Sequence, residues 1–128
     1  MSSAKRILLV DDDADILKIN RILLEREDYD VVLATNGEDA LKIVKEGGVD
    51  LMVLDIVMPG VDGYEVCQRM QEMDVESRLP VLMLTAKADE ADKIMGYFVG
   101  AADYLTKPYD KNVFMEKVRN LLGEATAE

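Results

Sequence analysis

Five polar side chains stand where short runs with strand character give out. Asp11 and Asp12 follow Ile7-Leu8-Leu9-Val10, Asp55 follows Leu51-Met52-Val53-Leu54, Thr85 follows Val81-Leu82-Met83-Leu84, and Lys107 follows Asp103-Tyr104-Leu105-Thr106. Apolar runs of this length read as strands buried on both faces. In an open parallel sheet the ligand crevice lies beyond the carboxyl ends of the strands, so all five side chains are expected on one edge. Three carboxylates crowded there repel one another unless one is protonated or a cation joins them. Mg2+ suits such a site, because it uses few carboxylates, keeps several waters and shares a position with a substrate phosphate. The chemistry this implies is phosphoryl transfer. Asp55 would be the nucleophile that forms an acyl phosphate, with Asp11 and Asp12 holding the metal. Lys107 would neutralise charge from the opposite side and Thr85 would donate to a third oxygen. Each residue has a plainer reading, with Asp55 opening the Pro59-Gly60 turn, Lys107 on the surface and Thr85 an ordinary strand residue. Matching chemistry on four separate strand ends weighs against those readings.

The remaining sequence supplies the elements that must position these ends. A helix is expected from about Ala14 to Arg26, with Ile16, Ile19 and Leu23 inward and Asp13 or its neighbour available to cap its first turn. A second strand spans Tyr29 to Thr35. Asn36-Gly37 turns into a helix carrying Ala40, Leu41 and Val44 that stops at Gly47-Gly48. Further helices are expected from Tyr64 to Met73, from Asp89 to Val99 and from Asp110 to Leu122, the last with Val113, Phe114, Val118 and Leu121 inward. Five strands alternating with five helices call for an α/β fold, a doubly wound parallel sheet with helices on both faces. The domain would cover residues 1–122, with 123–128 a polar tail expected to fray.

Composition removes many alternatives. The 26 acidic and 15 basic residues give a net charge of −11, which argues against direct binding to nucleic acid or to an anionic membrane. The absence of histidine excludes His metal sites, His general bases and Ser-His-Asp triads. The single cysteine, Cys67, reads as core filler on a helix face, and a reduced cytoplasm is its natural setting. Four apolar residues after Met1-Ser2-Ser3-Ala4-Lys5-Arg6 are too few for a signal peptide or a membrane span, so a soluble protein is expected. The eight methionines are scattered over strands and helices and read as packing residues.

With these residues in view, the chain resembles the receiver domains of bacterial two-component response regulators from Ile7 to Leu122. The resemblance rests on Val10-Asp11-Asp12, Leu54-Asp55 with Met58-Pro59 and Asp62-Gly63, Leu84-Thr85-Ala86, and Tyr104 with Lys107-Pro108. It implies the flavodoxin-like strand order 2-1-3-4-5, which belongs to the family and is not read from periodicity here. It implies that Asp55 takes a phosphoryl group from a histidine kinase, a phosphotransfer protein or a small phosphodonor. Mg2+ would then be ligated by Asp12, Asp55 and the backbone carbonyl of Val57, with Asp11 acting mainly through a bound water. A cis peptide is implied between Lys107 and Pro108. In the switch so implied, Thr85 moves toward the phosphoryl oxygen and Tyr104 turns inward, which changes the surface of the fourth predicted helix, strand five and the last helix, including Lys87 to Val99, Tyr104 and Tyr109. Val57 and Lys87 occupy the positions that tune phosphoryl lifetime. The output would be a partner protein or an effector domain beyond this chain.

Three rivals share parts of the pattern. A haloacid dehalogenase-type phosphatase would use Asp11 as nucleophile and Asp13 as general acid, but Asp15 stands where that family prefers Thr or Val and no downstream acidic pair follows. A calcium loop at Asp11, Asp13 and Asp15 lacks the required Gly at Ile16 and the bidentate Glu at Ile22. A flavin carrier needs a phosphate-cradling loop where this chain has acids.

Overall fold

The computed structural model describes residues 4–73, 79–86 and 100–124. Five strands, β1 (Arg6–Val10), β2 (Asp30–Ala34), β3 (Leu51–Asp55), β4 (Val81–Thr85) and β5 (Asp103–Thr106), form one parallel sheet in the order β2-β1-β3-β4-β5. Among the described residues four helices accompany it: α1 (Ala14–Glu25), α2 (Gly37–Glu46), α3 (Gly63–Gln71) and α4 (Lys111–Leu121). The helix expected from Asp89 to Val99 lies outside the described residues.

Strand composition matches position in the sheet. β3 and β4 are buried along their whole length, whereas β2 and β5 are edges with half-exposed residues. Alternate residues of each central strand feed two cores. Leu8, Val10, Met52, Leu54, Val81 and Met83 pack under α2 and α3, with Ala40, Val44, Val66 and Cys67. Ile7, Leu9, Leu51, Val53, Leu82 and Leu84 pack under α1 and α4, with Leu17, Leu24, Phe114 and Val118. The result is the doubly wound α/β architecture that the apolar runs demand.

Every described helix starts on a side-chain cap. Asp13, Asn36, Asp62 and Asp110 each accept from backbone N–H groups of the first turn, satisfying donors that the helix itself leaves orphaned. Two expected helix faces are rotated. In α1 the buried stripe is Leu17, Asn20 and Leu24, while Ile19 is exposed and Ile16 and Leu23 are half-buried. A polar residue in the middle of the buried stripe hides its period. In α4 the buried residues are Phe114, Met115 and Val118; Val113 faces outward. Backbone and side-chain contacts close the end of α4. Gly123 has φ 75°, the Glu124 N–H bonds the Arg119 carbonyl, and the Tyr29 hydroxyl donates to Glu124 Oε1 at 2.5 Å, a helix end closed in the Schellman manner.

Candidate phosphoryl-transfer site

Parallel strands deliver their carboxyl ends to one edge, and the register aligns them. Val10 pairs with Leu54, Asp55 with Leu84, and Thr85 with Thr106. Asp11 and Lys107 therefore leave β1 and β5 on either side of Asp55. Asp11 and Asp55 are buried, Asp12 is exposed, and one carboxylate oxygen from each lies within 4.8 Å of the others. Lys107 Nζ donates to Asp11 Oδ2 at 3.2 Å and lies 3.5 Å from Asp55 Oδ2.

Backbone contacts hold these groups in place. The Val57 N–H donates to Asp55 Oδ1 at 3.3 Å, and the Asp13 N–H donates to Asp11 Oδ1 at 2.9 Å. The Lys107 N–H bonds the Thr85 carbonyl at 2.6 Å, and the Gly63 N–H bonds the Ile56 carbonyl at 2.9 Å. Gly63 brings the start of α3 so close to β3 that a Cβ would lie 2.7 Å from Ile56 Cα and 2.9 Å from the Asp55 carbonyl oxygen. The peptide between Lys107 and Pro108 is cis.

The electrostatics follow from this crowding. Burial, then the Asp11 charge, pushes the Asp55 carboxyl up to about 6, against the opposing pull of Lys107 and the Val57 N–H. Burial alone would lower the Lys107 ammonium, but the Asp11 and Asp55 carboxylates outweigh it and hold it above its ordinary value. One ammonium against three carboxylates leaves the site short of positive charge. The donor set fits Mg2+: it offers hard oxygens only, few enough to leave positions for water and phosphate.

Thr85 is fully buried at the end of β4, and Tyr104 is buried beside Met83 in the core under α2 and α3. The Val57 side chain is exposed next to Asp55, and Lys87 lies outside the described residues. Asp13 is committed to capping α1, its Oδ1 accepting from the Asp15 and Ile16 N–H groups, so nothing in the geometry supports an Asp11–Asp13 phosphatase pair. The half-buried Tyr109 side chain turns to α1 and bonds Asn20.

A response regulator receiver domain model matches residues 7–119. The chain belongs to the response regulator receiver domain family. As a receiver domain it is a signalling module of two-component systems, and its relatives agree. It is 42% identical over 118 residues to the alkaline phosphatase synthesis transcriptional regulatory protein PhoP of Bacillus subtilis, covering 92% of this chain and 48% of that protein. It is 40% identical over 121 residues to the transcriptional regulatory protein ResD of the same organism, covering 94% and 49%. The receiver domain thus spans about half the length of these curated relatives. Among solved structures, a CheY-like response regulator receiver domain protein from Methanospirillum hungatei superposes with a TM-score of 0.87 at 29% identity, over 94% of this chain and 95% of that one. Chemotaxis protein CheY4 of Vibrio cholerae does so with 0.87 at 26%, over 93% and 99%. Among the described residues no helix is long and apolar enough to cross a membrane.

Proposed function

We propose that Asp55 accepts a phosphoryl group in a Mg2+-assisted transfer and that the receiver thereby switches the surface around β5 and α4. The observation that carries this reading is the convergence of Asp55 with Asp11, Asp12 and Lys107 on one sheet edge. An Asp55 carboxylate oxygen attacks phosphorus; the bond from phosphorus to the donor's nitrogen or oxygen breaks, and the leaving group departs with that electron pair. Lys107 releases the carboxylates and pairs with a phosphoryl oxygen, and the Val57 N–H keeps the attacking carboxylate oriented. Thr85 donates to a further oxygen, which couples phosphorylation to Tyr104 through the adjacent strand. When bound by Asp11, Asp12 and Asp55, with the Val57 carbonyl, Mg2+ supplies positive charge to the transferred oxygens.

The donors implied are a sensor histidine kinase or phosphotransfer protein, or a small acyl phosphate, acting in the cytoplasm. The recipient of the signal is a partner protein or an effector domain, since the two named relatives are transcriptional regulators twice as long. Residues 1–122 form the functional unit in this reading, and the chain acts as a switch that assists its own phosphorylation and dephosphorylation. Borohydride reduction followed by peptide mapping tests the assignment: it predicts homoserine at position 55, and homoserine or stable phosphate elsewhere contradicts it.

A further inference from the structure

The Asn20–Tyr109 contact ties helix α1, which follows the acidic loop, to the segment that carries Lys107. Asn20 is 4% exposed in the stripe that packs α1 on the sheet. A carboxamide there is costly unless bonded. The Tyr109 hydroxyl faces both its ends, accepting from Nδ2 at 2.9 Å and donating to Oδ1 at 3.2 Å. The Tyr109 ring rests on Phe114 at 5.5 Å between centroids.

Tyr109 lies two residues beyond Lys107, whose own N–H is fixed on the Thr85 carbonyl. The segment is therefore held at its start by β4 and at its end by α1. At the start of α1, the cap residue Asp13 donates its N–H to the Asp11 carboxylate. One helix thus carries a tie to the acidic loop and a tie to the basic loop. A leucine at position 20 would fill the stripe with no polar group to desolvate; a bonded carboxamide adds direction, which apolar packing does not.

We infer that Asn20 and Tyr109 are a positioning pair for phosphoryl transfer, fixing the backbone from which Lys107 reaches the transferred group. The inference rests on Asp55 as the phosphoacceptor. Its test compares phosphorylation rates by acetyl phosphate in saturating Mg2+, read by intact mass, in the parent, Tyr109→Phe, Lys107→Ala and the double variant. Tyr109→Phe keeps the ring on Phe114 and removes only the hydroxyl. With Lys107 present it should slow transfer about three- to tenfold, the loss expected for one hydrogen bond. With alanine at 107 it should slow transfer no further, and Mg2+ affinity should be unchanged by it in both backgrounds. Asn20→Ala should behave as Tyr109→Phe does. Equal rates for parent and Tyr109→Phe overturn the inference, and so does equal slowing in both backgrounds, which would make the hydroxyl a matter of stability alone. A parent that takes up no phosphoryl group on Asp55 overturns the reading of the site, and the positioning role falls with it.

Discussion

Lys107 Nζ lies 3.5 Å from Asp55 Oδ2 while donating to Asp11 Oδ2 at 3.2 Å. The ammonium thus takes the position between two buried carboxylates that a metal ion or a phosphoryl oxygen would contest, and its removal should have opposite effects on the two.

Lys107→Ala should tighten Mg2+ binding, because it removes a cation that competes for the same carboxylates. It should also slow phosphorylation about a hundredfold, the scale for losing one preorganised charge-stabilising group. Titration calorimetry reads the first effect, and timed intact mass with acetyl phosphate reads the second.

Stability in the absence of Mg2+ should fall as pH rises through the Asp55 titration. The carboxyl is raised from 3.8 to about 6 by burial and Asp11, so between these values the folded protein binds more protons than the unfolded chain. The stabilising contribution is full below the unfolded value and lost as pH rises through the folded one. Melting temperatures should therefore drop between about pH 4 and pH 6 more steeply in the parent than in Asp55→Asn, and Mg2+ should raise the parent's Tm more at the higher pH.

Gly63→Ala should destabilise the domain by about 1–3 kcal/mol. The new methyl would press on backbone atoms of both Ile56 and Asp55, neither of which can swing away as a side chain would. Urea unfolding measures the loss, and a weakened Mg2+ affinity would show that the displacement reaches the site.

Val57→Asn should shorten the life of the phosphorylated form several-fold. The Val57 side chain is exposed beside Asp55 and offers a hydrolytic water no partner, whereas a carboxamide can hold one. Loss of phosphate after removal of the donor, followed by intact mass, gives the two lifetimes; equal lifetimes would remove Val57 from any tuning role.

The strand ends were legible because a buried parallel strand needs an uninterrupted apolar run, so an acid, hydroxyl or ammonium at its end is conspicuous. β5 (Asp103–Thr106) falls where the sequence places it, and Asp55 closes β3 as expected. Helix faces were less legible. Asn20 carries no hydrophobic signal, and only its distant partner Tyr109 makes burial tolerable, so the stripe of α1 reads one residue out of phase. Val113 was misplaced because Met115 fills the position beside Phe114 and Val118. The bond from Tyr29 to Glu124 spans 95 residues, and no local pattern announces it.

The most direct test is intact mass after incubation with acetyl phosphate, with and without Mg2+, beside Asp55→Asn. The geometry predicts one phosphoryl group on the parent, dependent on Mg2+, and none on the variant. An adduct that persists in Asp55→Asn, or steady phosphate release that depends on Asp11 instead, would contradict it.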